Sequence, residues 1–265
     1  MDSISTDKIL GSKNGAIGTL TFNYPEKHNA MSPEMAQAAA AVINEFAADP
    51  AIRVVVLRGA GTKAFVSGGD ISKYEKNRAT PEQIEAYNKM SSGFRDALAD
   101  ITKPTIAMIR GWCLGGGLAI ALRCDMRICS EDAQFSVPAA RLGIGYAAES
   151  LGQLIELCGP SVAKEILFTA RRYTAYEAHR IGLVNHVVQA GVLEAFVQQY
   201  ADTIADNAPL SIVAAKHVIN EYVKDSDKRN QALADQAVAN CFASQDYIEG
   251  RRAFMEKRKP VWTGK

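Results

Sequence analysis

A chain of 265 residues, 48% of them hydrophobic, holds enough apolar material for one large domain or a core with an appendage. Its 22% of charged residues balance to a formal net charge of +1, which gives no general attraction to polyphosphate or to an anionic membrane surface. The cysteines Cys113, Cys124, Cys129, Cys158 and Cys241 form no C-x-x-C pair and the histidines no i, i+4 pair. That argues for reduced thiols in a cytoplasmic protein and against a metal site. Residues 1–7 carry two acids and no apolar run, so they do not read as a secretory signal. The most apolar stretch, Pro104 to Leu122, is broken by Arg110 and is not expected to span a membrane.

In chain order, Lys8–Lys13 and Ala16–Asn23 flank Asn14-Gly15, which predicts a hairpin closed by a type I′ turn. Ser32-Pro33-Glu34 opens a helix, with serine as cap and proline in the first turn; it runs through Phe46 and stops near Asp49-Pro50. The β-branched run Arg53–Gly59 predicts a buried strand. Thr80-Pro81-Glu82-Gln83 has capping-box spacing and starts a polar helix. Pro104–Ile109 reads as a strand, Gly111–Leu122 as a glycine-opened turn and helix, and Asp125–Cys129 as the next strand. The alternation argues for an α/β layer structure. Beyond Gly159 helical patterns dominate: Ser161–Thr169, Thr174–Arg180, Leu193–Asn207, Ser211–Lys224 and Lys228 to the end, with Leu183–Val188 as one strand among them. A boundary is expected near residue 200.

Two glycine clusters carry the chemistry. In Ala64–Ile71, the pair Gly68-Gly69 lets the main chain turn sharply and point an N–H at a ligand. In Gly111–Ala119, Gly115-Gly116-Gly117 stand at a helix start, where each glycine costs about 1 kcal/mol relative to alanine. A sequence tolerates that where a backbone or ligand must approach closely. The exposed N–H groups and the helix dipole there favour a developing oxyanion.

With these loops in view, the chain resembles the enoyl-CoA hydratase/isomerase family, the crotonase superfamily. The resemblance rests on Asn23–Ala30, Ala64–Ile71, Gly111–Ala121, Arg123–Ile128, Ala133–Phe135, Ala175–Val188 and Gly250–Lys259, in order along nearly the whole chain. It implies an α/β fold: a spiral of repeated ββα units over 1–200 with the acyl-CoA site, then an all-helical trimerisation region over 201–265. It also implies a homotrimer or a dimer of trimers, acting on an acyl-CoA substrate with no cofactor beyond the coenzyme A moiety. The resemblance puts the oxyanion donors at the N–H groups of Gly69 and Gly116. It puts Lys27, Ala30, Ser67, Asp70 and Ile71 beside the coenzyme A, and lets Phe254 and Lys257 reach a neighbouring subunit's site.

The hydratases of the family use two glutamates to move protons. Here those positions are Ala119 and Ala139. General acid–base groups are commonly worth 10²–10⁴-fold each, so ordinary hydration lacks its usual apparatus. Candidates for the vacant roles follow in Arg141–Ser150: Glu149 as base, Tyr146 as acid or orienting hydroxyl, and Arg141 as clamp for an acidic substrate group. A lyase or isomerase that stabilises a thioester enolate is the leading expectation. Decarboxylation, thioester hydrolysis and non-catalytic acyl-CoA binding are the alternatives. Gly143-x-Gly145-x-x-Ala148 superficially fits a dinucleotide fingerprint but follows no convincing strand, and Val66-Ser67-Gly68 lacks the elbow of a serine hydrolase.

Overall fold

The computed structural model describes residues 6–70 and 80–265, without the side chains of Tyr87, Asn88, Ser91 and Glu149. The chain opens with an antiparallel pair, β1 (Ile9–Asn14) and β2 (Ile17–Phe22). Asn14 pairs with Ile17, so the turn residues are Gly15 and Ala16, one step later than expected. Gly15 has φ +55° and Ala16 is not among the positive-φ residues, the pattern of a type II′ turn. One glycine therefore supplies the only positive φ that this turn needs.

Helix α1 (Pro33–Ala48) starts as expected, with the Ser32 hydroxyl accepting from Met35 N at 3.3 Å. Its buried residues include Met35, Ala39, Ile43 and Phe46, spaced to form one stripe. Next come β3 (Val54–Gly59), the short β4 (Ala64–Val66) and α2 (Pro81–Asp100), which opens on the Thr80 capping box. The pattern then repeats. β5 (Thr105–Ile109), β6 (Trp112–Leu114) and α3 (Gly116–Arg123) make one unit; β7 (Met126–Ser130), β8 (Gln134–Ser136) and α4 (Ala148–Thr169) make another. Within each unit the first strand joins one sheet and the second joins another.

The larger sheet has the order β1-β2-β3-β5-β7-β10, where β10 is His186–Val188. The smaller has the order β4-β6-β8-β9, where β9 is Tyr173–Thr174. Apart from β1–β2 and β8–β9 the pairings are parallel. This is the spiral of ββα turns.

Side-chain alternation along β3 feeds two cores. Val55 and Leu57 join the main interior, while Val54 and Val56 join a second one beneath α6 (Leu193–Ala205), which contributes Leu193, Val197 and Ala201. The buried side chains of the smaller sheet include Phe65 and Val66 of β4, Cys113 of β6, Phe135 of β8 and Tyr173 of β9. The expected boundary near residue 200 falls inside α6.

Three expectations about single elements need correction. The glycine-rich run after Gly111 contains a strand, β6, before its helix. Helix α4 begins at Ala148 rather than Ser161 and bends at Gly159 (φ 75°, ψ 162°) ahead of Pro160; its first turn has no side-chain cap to announce it. The stretch from Lys228 onward is not one helix. It divides at Ser244 into α8 (Gln231–Ala243) and α9 (Gln245–Glu256), after α5 (Ala175–Arg180), α6 and α7 (Pro209–Tyr222). The last residues fold back, with Trp262 Nε1 donating to Asp206 O at 2.7 Å and Thr263 N to Asp246 at 2.7 Å. Arg53 ties this tail to the sheet, donating to Ala205 O (3.1 Å) and Trp262 O (3.0 Å). Among the described residues no helix is long and apolar enough to cross a membrane.

Candidate active site

Loop 28–31 and loop 67–70 lie side by side because their backbones pair. Ser67 N donates to His28 O at 3.1 Å, Met31 N to Gly68 O at 2.8 Å and Asp70 N to Met31 O at 3.0 Å. A buried side chain fixes the first of these loops. Asn29, with no exposed surface and φ +57°, accepts from Tyr24 N at 2.9 Å and donates to Ala60 O (3.0 Å) and Ala64 O (2.8 Å). Sequence reasoning missed this residue; the one hint was an asparagine, a residue that tolerates left-handed backbone, four places after Pro25. Asn29→Ala is expected to lower stability by about 3 kcal/mol, since it strands buried polar groups at a strained position. Thermal melting checks this, and a change under about 1 kcal/mol would contradict the role given to the amide.

Against loop 67–70 stands the turn that opens α3. Gly68 has φ +113° and Gly115 has φ 51° with ψ −116°, conformations that only glycine holds comfortably. A Cβ built on Gly117 would lie 2.0 Å from Val66 O, so this glycine lets the helix pack on β4. Gly116 differs. A Cβ there would sit 3.7 Å from both Gly68 Cα and Gly69 N, in ordinary contact and in the gap between the two loops. The flanking Ser67 and Asp70 amides are used as above, and Gly115 N donates to Ser136 O at 2.8 Å. Among the described residues no backbone acceptor takes the N–H of Gly69 or Gly116. For Gly116 this follows from its place as first residue of α3, where an N–H has no partner within the helix.

Around this gap the expected residues fall as follows. Ala119 is half-buried one turn into α3, and Ala139 is buried with its carbonyl accepting from Leu142 N (3.0 Å) and Ile144 N (3.1 Å). The Pro138 ring and the Tyr146 hydroxyl come within 3.9 Å and 4.0 Å of a Cβ built on Gly115. Tyr146 is thus brought to the glycine turn. Arg141 is exposed at the end of the short 3-10 helix Pro138–Arg141, and its guanidinium bonds to no described residue. Glu149 is in the first turn of α4, and its side chain lies outside the described residues, as does all of Ile71.

Ser67 is half-buried with its hydroxyl 3.5 Å from Lys27 O; Asp70 is half-buried, Ala30 buried and Lys27 exposed. These four are therefore gathered at the paired loops. His28 packs its ring 4.8 Å from that of Trp112 and makes no nucleophile pair with Ser67. Phe254 and Lys257 stand instead at the helical end. There Phe254, 83% exposed, borders a groove of about 750 Å³ with Leu210, Phe242, Tyr247 and Trp262. Lys257 ends α9 with φ 53°.

Burial works against the thiolate form at Cys113, Cys124, Cys129 and Cys158. Burial raises Cys113 well above the ordinary range, raises Cys124 and Cys129 to about 12, and raises Cys158 as well. Among the described residues the gap therefore presents two amides that no backbone acceptor takes, with the Tyr146 phenol and the methyl groups of Ala119 and Ala139 nearby, and two such donors can stabilise an oxyanion.

A family profile described as enoyl-CoA hydratase/isomerase matches residues 12–265. The chain is 34% identical to a short-chain-enoyl-CoA hydratase of Clostridium acetobutylicum, covering 96% of each chain. It is 35% identical to a carnitinyl-CoA dehydratase of Proteus mirabilis over 95% of this chain and 96% of that one. Among solved structures it superposes on an enoyl-CoA hydratase/carnithine racemase from Magnetospirillum magneticum with a TM-score of 0.94 and 37% identity, covering 98% and 97% of the two chains. Because the profile runs over residues 12–265 and these relatives align across nearly their whole lengths, the chain belongs to the enoyl-CoA hydratase/isomerase family.

Proposed function

We propose that this protein is an acyl-CoA thioester enzyme in which the N–H groups of Gly69 and Gly116 donate to the thioester oxygen as an enolate forms. The observation that carries this reading is the pair of amides across one gap that no backbone acceptor among the described residues takes, with the amides of Ser67, Asp70 and Gly115 already bonded elsewhere. Donors of this kind hold an oxyanion at about 2.7–3.1 Å, and each is worth about 2.7–4 kcal/mol in the transition state. Coenzyme A runs past Lys27, Ala30, Ser67, Asp70 and Ile71. Tyr146 is the acid or orienting hydroxyl, Glu149 the base, and Arg141 holds an acidic substituent of the acyl group. The working assembly is a homotrimer or a dimer of trimers, in which the exposed Phe254 and Lys257 reach a neighbouring copy's coenzyme A.

A second reading, decarboxylation, is supported by the methyl groups of Ala119 and Ala139, the positions that the resemblance matches to the glutamates of the family's hydratases. Loss of carbon dioxide leaves an enolate directly and needs its stabilisation more than a carboxylate pair. Incubation with malonyl-type and enoyl thioesters, followed by mass spectrometry of products, separates the two. Loss of 44 mass units marks decarboxylation and gain of 18 marks hydration, roughly the masses of carbon dioxide and water. Failure to bind any acyl-CoA on a broad panel would overturn both.

A further inference from the structure

Arg127, on β7, is 3% exposed, and its side chain reaches into the main interior. Its Nε donates to Leu183 O at 2.8 Å, and its Nη1 to Cys124 O at 2.8 Å and Ala121 O at 3.5 Å. Among the described residues no carboxylate pairs with it. A buried cation without an anion is unfavourable, and an apolar side chain of this size would ordinarily fill such a place better. The carbonyls it has found explain the exception. Ala121 lies in the last turn of α3 and Cys124 caps it, so the guanidinium sits on the negative end of that helix. The other end is Gly116. At about 1.5 Å per residue the two ends of this eight-residue helix are about 12 Å apart, through packed interior that salt does not enter. Arg123, also in the last turn, is only half-buried; burial first, and then the charge of Arg95, lower its pKa from the ordinary value.

We propose that Arg127 is a positioning residue for the Gly69–Gly116 amide pair: it clamps the carboxyl end of α3 and adds a buried positive charge behind the helix whose amino end faces the thioester oxygen. The clamp holds Gly116 in register with Gly69. The charge offsets the negative helix end, so the field at the amide pair becomes more favourable to an oxyanion. This rests on the acyl-CoA reading above.

Acetoacetyl-CoA is the probe, because its enolate has an ultraviolet band of its own and forms without committing the enzyme to any one reaction. Wild-type protein is expected to lower the pKa of bound acetoacetyl-CoA. Arg127→Met is expected to raise it again by about half to one pH unit, three- to tenfold in enolate population, while coenzyme A alone binds as before. Arg127→Lys, which keeps the charge, should retain most of the wild-type effect. A purely structural role would lower the melting temperature of Arg127→Met and leave the enolate equilibrium untouched, and that result overturns the inference. Should Arg127→Met not fold, Arg127→Gln, which keeps one donor for the Cys124 carbonyl, carries the same comparison. A wild-type protein that binds acetoacetyl-CoA without shifting its ionisation would instead sink the amide-pair reading itself.

Discussion

Gly116→Ala is expected to fold like the wild type and to lose about 10²–10³-fold in turnover. Its new methyl group would be 3.7 Å from Gly69 N and 3.8 Å from Gly68 C, close enough to occupy the gap but not to force the loops apart. Alanine is also the better helix former, so stability should stay within about 1 kcal/mol of the parent. The neighbouring Gly117→Ala should behave in the opposite way. Its Cβ would meet Val66 O at 2.0 Å and Val66 C at 2.7 Å, a clash that β4 or α3 must relieve by moving. Several kcal/mol of stability should go, in the range of severe overpacking, about 1–3 kcal/mol or more. Thermal melts paired with rates on whichever thioester the wild type consumes distinguish the two. A Gly116→Ala protein with undiminished rate would mean that the oxygen of the thioester lies elsewhere.

Placing carboxylates at both Ala119 and Ala139 should produce hydration. In Ala119→Glu/Ala139→Glu the pair would stand beside the glycine turn, Ala119 one turn along α3 and Ala139 next to Pro138. If each general acid–base group is worth 10²–10⁴-fold, the double variant should hydrate a short enoyl thioester at least about 10²-fold faster than the parent, and each single variant much less. Ala139 is only 7% exposed, so the added carboxyl will be partly desolvated, which raises its pKa and suits it to act as an acid. Stability should drop by a few kcal/mol for the same reason, about 1–3 kcal/mol. Water addition followed by loss of the enoyl absorbance measures the gain. A folded double variant with no gain would mean that the space around the gap is shaped against water attack, not merely stripped of proton carriers.

The sequence made the long, locally determined elements readable. Ser32 with Pro33, the Thr80 box and the valine run of β3 each announce themselves within a few residues, and the structure has them within one or two positions. Strands of two or three residues such as β4, β6, β8 and β9 had no such signal, because they exist only through pairing with chain segments far away. The amino-terminal half of α4 was hidden for a related reason: Ala147 offers no cap and Gly152 weakens the pattern. At the site, the glycine clusters were visible as clusters but not as individuals. Gly115 serves backbone conformation, Gly117 serves packing, and only Gly116 faces the gap, a division of labour that becomes apparent when Val66 and Gly68 are seen beside them. Asn29 and Arg127 escaped notice because their partners, Ala60 and Ala64 for one and Leu183 for the other, are 31 to 56 residues distant.

The way β3 divides its valines also bears on how the molecule comes apart. Val55 and Leu57 line one interior and Val54 and Val56 the other, so the strand is a party wall between two rooms. Pulling down the wall empties both. The amide hydrogens of this strand are therefore expected to exchange with solvent only when both interiors open together, which hydrogen exchange followed strand by strand would check.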